Sequence, residues 1–232
     1  MLFRSILFYV FLSFWTIFMG IFCMPFLFLP KRLLERPIRF WILGIFFSLK
    51  YICKITHEIQ GSENIPKESV LIVSKHQSAF ETFALYYYLP NSIFIHKKQL
   101  FFIPIFGQYL KKINMIAINR KGGANTIRTM LKEAKQKINL GISIIIFPEG
   151  TRKKPHAKPD YKTGFISIYK ELKKEILPVA VNSGNFWPKN FLIKSKGNII
   201  IKILPTIKPN LERKKILLEV IKKIEDATNQ II

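Results

Sequence analysis

The stretch VLIVSKHQSAFETFALYYY (residues 70–88) decides the fold. Its opening run, residues 70–74, is unbroken, apolar and rich in Val and Ile at strand length, and residues 80–88 read as a short helix. A buried strand that passes through a short loop into a helix is the building unit of an α/β domain with a largely parallel sheet. In such sheets ligands sit outside the carboxyl ends of the strands, which is where this reading places His76. Glu81 follows five residues later. A carboxylate that holds one imidazole nitrogen frees the other to take a proton from a hydroxyl. That hydroxyl can belong to a substrate, so the chemistry becomes acyl transfer to an alcohol with no nucleophile supplied by the protein. An ordinary half-buried histidine at a strand end is the competing reading, since the chain carries 14 acidic residues and four histidines. Five residues after His57, His96 and His156 stand Ser62, Phe101 and Tyr161, none of them acidic.

Further strand-like runs fall at 58–60, 92–95, 115–118, 142–147, 176–181 and 198–203, with helical patterns at 125–138, 165–173 and 211–230. Strand and helix alternate without repeats or low-complexity linkers. The expected architecture is a mostly parallel sheet flanked by helices, one catalytic domain over 58–232, preceded by N-terminal membrane-associated helices over 1–57.

Residues 5–29 contain no charge and, as one helix, would run roughly 37 Å against a hydrocarbon core of about 30 Å. The stretch is longer than a signal-peptide core, and no small-x-small cleavage site follows it. Pro25 and Pro30 leave open whether the segment spans the bilayer or dips into it. Lys31, Arg32, Arg36 and Arg39 follow it, against Arg4 before it, so the expected location is the cell inner membrane with the catalytic domain on the cytosolic side. Residues 33–55 read as an interfacial amphipathic helix or as a helix packed on the domain. The formal charge of +23, from 37 Lys and Arg against 14 Asp and Glu, suits an anionic membrane surface, coenzyme A phosphates or an acidic carrier protein. No RNA-binding or zinc-knuckle signature accompanies it, so no nucleic-acid partner is expected. Cys23 and Cys53 sit in apolar surroundings and read as small hydrophobes; no metal site or cofactor is implied.

The run at 142–147 leads into FPEGTR (residues 147–152). Gly150 allows close backbone approach to a ligand, Thr151 offers a hydroxyl, and Arg152 carries a planar fork suited to phosphate. An ion pair between Glu149 and Arg152 on a surface turn is the plainer alternative. KKQLFFIPIFGQYL (residues 97–110) is aromatic and aliphatic, broken by Pro104 and Gly107, and reads either as the wall of an acyl-chain channel or as core. Arg120 closes the run at 115–118 near the same sheet edge, so that Arg120 and Arg152 can grip one phosphate.

These blocks together resemble the 1-acyl-glycerol-3-phosphate acyltransferases among the glycerolipid acyltransferases. The resemblance covers roughly residues 60–188, in order: KHQSAFE for the family's Asn-His-x4-Asp, KKQLFFIPIFG with INR, FPEGTR, YKTGF, and LPVAV around Pro178. It implies that His76 deprotonates the acceptor hydroxyl of lysophosphatidate, with Glu81 in the usual aspartate position. It further implies an acceptor-phosphate site at Arg120 and residues 149–152, with help from Lys97, and an acyl-chain or donor side at Phe106, Gly107 and Pro178. The acyl donor would be acyl-coenzyme A or acyl-carrier protein. Glycerol 3-phosphate or another lysolipid, such as a lyso-amino-acid lipid, is the alternative acceptor, and a catalytically inert lipid-binding scaffold the alternative of another class. This chain departs from the pattern twice, with Glu81 for Asp and Lys75 for Asn. The oxyanion of the transition state would find backbone N–H donors near Ser78 or in the Gly150 loop.

Overall fold

The computed structural model describes residues 1–119, 123–189 and 192–231. Seven strands form one sheet: β1 (Ile55–Gln60), β2 (Leu71–Ser74), β3 (Ser92–Lys97), β4 (Ile116–Ile118), β5 (Ser143–Ile146), β6 (Ile176–Val181) and β7 (Gly197–Ile203), in the order β1-β7-β6-β2-β5-β3-β4. All neighbours pair in parallel except β6 with β7, so β7 and β1 run against the other five. The central strands explain the apolar runs: Leu71, Ile72 and Val73 of β2 pair with Ile144, Ile145 and Ile146 of β5 and are covered on both faces, as parallel strands must be. The covering helices are α3 (Phe80–Tyr88), α5 (Gly123–Asn139), α6 (Gly164–Leu172) and α7 (Arg213–Gln230). β1 begins three residues before the expected run, because Ile55, Thr56 and His57 already pair with β7.

α1 (Leu2–Phe22) and α2 (Lys31–Ser48) precede the sheet. α1 stops short of Pro25, whose missing N–H cannot continue a helix, and Pro30 opens α2. The pair is locked by reciprocal tryptophans: Trp15 Nε1 donates to the Trp41 carbonyl at 2.9 Å and Trp41 Nε1 to Thr16 Oγ1 at 3.2 Å. A Cβ at Gly44 would strike the Trp15 indole, so this glycine is the socket for that ring. Between residues 31 and 55, α2 ends in a π-helical turn (Leu49–Cys53); its inner face, with Leu34, Ile42, Ile45 and Phe46, joins the core of the sheet domain. Its inner face packs as a helix on the domain does, and its outer face, with Leu33, Phe40, Leu43 and Phe47, is exposed. Along α1, Phe3, Val10, Phe14, Ile17, Ile21 and Phe22 are also exposed. An apolar surface of this extent marks an interaction surface, and α1 is the described helix long and apolar enough to cross a membrane.

α1 is tied to the sheet domain near both ends. Near its start the Ser5 hydroxyl accepts the Lys194 N–H at 2.9 Å and Phe8 meets Trp187 edge to face; near its finish the Tyr109 hydroxyl donates to the Gly20 carbonyl at 2.7 Å. The Lys194 ammonium is buried without a hydrogen-bond acceptor among the described residues and lies 3.4 Å from the Tyr9 ring centroid and 4.4 Å from that of Phe8. Ring faces attract a cation, while burial pushes Lys194 down to about 8. Between pH ~8 and ~10.4 the folded chain therefore binds fewer protons at Lys194 than the unfolded chain, so this residue's penalty is present below pH 8 and lifts as pH rises. The unfolding midpoint of the wild type relative to Lys194→Met is expected to rise between pH 7.5 and 10; a constant difference would show that the ammonium is not desolvated.

Candidate active site

The carboxyl ends of β2, β3, β4, β5 and β6 converge on one edge of the sheet. His76 follows β2 and turns onto Glu81, the second residue of α3. The Nδ1···Oε1 distance is 2.9 Å, so the longer Glu reaches back from the helix and the orienting contact is made without Asp. Glu81 is fully buried and accepts three further bonds: Gln77 N–H and Ser78 N–H on Oε1, each at 2.6 Å, and the Ser183 hydroxyl on Oε2 at 2.7 Å. Hydrogen bonds to an ionised carboxylate contribute about 1.5–3 kcal/mol each, which is how a buried charge is kept at a helix start. Because the carboxylate only accepts, Nδ1 carries the proton and Nε2 is the ring nitrogen left for a substrate. The His76 ring stacks on Phe147 with centroids 3.9 Å apart, and Phe147 on Phe94 at 5.7 Å.

FPEGTR meets this histidine through the backbone. His76 N–H donates to Glu149 Oε2 at 2.8 Å, and Lys153 N–H donates to the His76 carbonyl at 2.8 Å. Glu149, expected among the phosphate ligands, is only 2% exposed and faces inward, with Oε1 3.0 Å from Lys75 Nζ. Burial raises its pKa, against the pull of Lys75 and the His76 amide. A buried carboxylate paired in this way does not present itself to an anion. Gly150 adopts φ 67°, the left-handed conformation its lack of Cβ allows. With Thr151, Arg152 and Lys97 it lines the cavity into which His76 opens. Lys189, from the loop between β6 and β7, also lines this mouth and donates to Thr151 Oγ1 at 2.8 Å. Arg120 lies outside the described residues.

The cavity measures about 1210 Å³ and runs from this cationic rim past His76 to the α1–α2 pair. That exceeds the ~300–1,000 Å³ usual for small-molecule sites and is lipid-sized. Its inner wall is apolar, from Met19, Ile38, Trp41, Phe83, Leu100 and Phe106. The 97–110 stretch supplies part of that wall through a 3-10 turn (Lys98–Phe102) and a helix not expected from its Pro and Gly, α4 (Phe106–Lys112). Two residues assigned to the acyl or donor side are placed elsewhere. Gly107 packs its backbone against the Phe101 carbonyl, where a Cβ would collide. Pro178 is inside β6, paired with Val73 of β2. Of the oxyanion donors expected near Ser78 or in the Gly150 loop, the Gln77 and Ser78 amides are committed to Glu81 and the Gly150 amide to the Phe147 carbonyl. Among the described residues no cluster of His, Cys, Asp or Glu is placed to hold a metal ion.

Residues 56–182, which span the dyad and the FPEGTR loop, match the acyltransferase family. The chain belongs to that family. As an acyltransferase it is 30% identical over 226 residues to a 1-acyl-sn-glycerol-3-phosphate acyltransferase of Pseudomonas aeruginosa, covering 96% of this chain and 87% of that one. A protein of the same description from Borreliella burgdorferi is 32% identical over 152 residues, 64% of this chain and 60% of its own length. The crystal structure of the 1-acyl-sn-glycerophosphate (LPA) acyltransferase PlsC from Thermotoga maritima superposes with a TM-score of 0.82 at 23% identity, covering 99% of this chain and 95% of that one. The agreement in fold takes in α1 and α2, and the apolar N-terminal helix of this acyltransferase fits membrane association. Ser183 and Lys189 carry no motif in the sequence. Ser183 follows the apolar run of β6 as an unremarkable serine, and Lys189 is one of many lysines.

Proposed function

We propose that the chain transfers a fatty acyl group from an acyl thioester, acyl-coenzyme A or acyl-carrier protein, to the sn-2 hydroxyl of 1-acyl-glycerol-3-phosphate, giving phosphatidic acid. The observation that carries this reading is the Glu81-oriented His76 set between a cationic mouth and a lipid-sized apolar cavity. The acceptor's acyl chain lies along Phe106, Phe83 and Trp41, and its phosphate at Lys97 and the Gly150–Arg152 loop. His76 Nε2 takes the hydroxyl proton as the oxygen attacks the thioester carbonyl; a C–O bond forms, the C–S bond breaks, and the proton passes to the departing thiolate. Holding both reactants in one cavity removes much of the entropic barrier. The curated relatives named for this reaction support the same acceptor.

α1, tied to the body near both ends, lies along it and places its outer apolar face in one leaflet, with the body on the cytosolic side of the inner membrane. The excess of basic residues binds the anionic surface. The test is product analysis by mass spectrometry with lysophosphatidate, glycerol 3-phosphate and a phosphate-free lysolipid, each with both donor types. Phosphatidic acid as the dominant product is expected, and Arg152→Ala is expected to raise KM for lysophosphatidate by about tenfold or more with little change in kcat, as lost ground-state binding does. A phosphate-free acceptor turned over faster than lysophosphatidate, and indifferent to Arg152→Ala, would overturn the acceptor assignment.

A further inference from the structure

Lys75 immediately precedes the catalytic histidine and occupies the position where the resemblance leads one to expect Asn. It is only 2% exposed. A buried ammonium is costly unless paired, and this one has two carboxylates: Glu149 Oε1 at 3.0 Å and Glu225 Oε1 at 2.6 Å. The Tyr161 hydroxyl donates to the same Glu225 oxygen at 2.9 Å. Glu225 stands on α7, beyond residues 56–182, and its side chain is 16% exposed. Glu149 is the residue whose other oxygen receives the His76 N–H. The groups facing Glu149 are therefore Lys75, the His76 amide and, behind Lys75, Glu225 and Tyr161.

We propose that Lys75 and Glu225 are positioning residues that act through Glu149 on the backbone of His76. Glu225 anchors the ammonium, the ammonium holds Glu149 ionised and in place, and Glu149 sets where the imidazole stands over the cavity. The C-terminal helix thereby becomes part of the catalytic apparatus of this chain, and the Lys at position 75 is matched by its own counter-charge. The inference rests on His76 being the base of the proposed reaction.

The test uses the full-length protein in detergent or nanodiscs, with Glu225→Gln, Lys75→Met and the pair Lys75→Asn/Glu225→Gln. Glu225→Gln, an isosteric change at a partly exposed site, is expected to lower kcat about tenfold with acceptor KM within about twofold. Lys75→Met is expected to lower kcat more and to move the acid limb of the kcat profile to higher pH. The sign follows from Lys75 lowering the Glu149 pKa: without it, burial keeps Glu149 protonated to higher pH. The neutral pair is expected to recover kcat to within about fivefold of wild type, because an Asn amide can donate to Glu149 without needing Glu225. A wild-type kcat and pH profile in Glu225→Gln, or a neutral pair no better than Lys75→Met, would overturn the proposal. A readout independent of turnover separates this from failure of the functional reading. The NMR chemical shifts of the His76 ring are expected to shift between wild type and Glu225→Gln, and an unchanged spectrum overturns the relay even if the substrate proves to be another. A protein that turns over neither donor yet shows that shift keeps the relay and loses the reaction.

Discussion

His76→Ala is expected to lower kcat for acyl transfer by about 10³-fold, the scale on which a positioned general base contributes. Acceptor KM should stay within a few fold of wild type, since neither the cationic mouth nor the apolar wall depends on the imidazole. The protein should remain folded. His76 stacks on Phe147 at the cavity edge, and the Glu81 carboxylate would still hold the Gln77 and Ser78 amides and the Ser183 hydroxyl. Parallel measurement of single-turnover acylation and of the thermal unfolding midpoint checks both halves of the expectation. Residual activity within tenfold of wild type, with the fold intact, would remove His76 as the base.

Two substitutions at Glu81 are expected to separate its electrostatic from its structural work. Glu81→Gln keeps an oxygen that can accept from His76 Nδ1 and from the two amides, but loses the charge that stabilises the imidazolium. A fall in kcat of about 10²-fold with acceptor KM nearly unchanged is expected, because the lost interaction strengthens only in the transition state. Glu81→Ala leaves His76 Nδ1, both amides and the Ser183 hydroxyl without their acceptor inside the protein. It should abolish turnover as fully as His76→Ala and cost about 3–5 kcal/mol of stability. Equal turnover by Glu81→Gln and wild type would reduce Glu81 to a helix-start residue alone.

Much of this site was legible in the sequence because its parts follow local rules. Apolar runs of four to six residues became the central strands, and the loops at their carboxyl ends carry His76 and FPEGTR as the parallel-sheet rule requires. What escaped was long-range. Glu149 belongs to a motif with Arg152, and nothing within that motif tells that its carboxylate turns inward to a lysine 74 positions earlier. Lysine is a surface residue by habit; Lys75 is buried because Glu149 and, 150 positions away, Glu225 pair with it. Ser183 supports Glu81 across 102 positions. The helix α4 was hidden by Pro104 and Gly107, since the chain enters it through Ile105 at φ 64° and the glycine is demanded by close packing on Phe101. Pro178 falls inside the strand-like run at 176–181, and that run already places it within β6 beside Val73.

The pairing of β1 with β7 has a bearing on how the enzyme is made. Ile55 finds its sheet neighbour at Gly197, and the lysine beside His76, already paired with Glu149, finds its second counter-charge at Glu225. A chain leaving the ribosome exposes its apolar α1 long before either partner has been synthesised. α1 is thus complete well before the β1–β7 edge of the sheet can close. The sheet edge and the second counter-charge of Lys75 are completed late, when β7 and α7 pack onto elements that precede them in the chain.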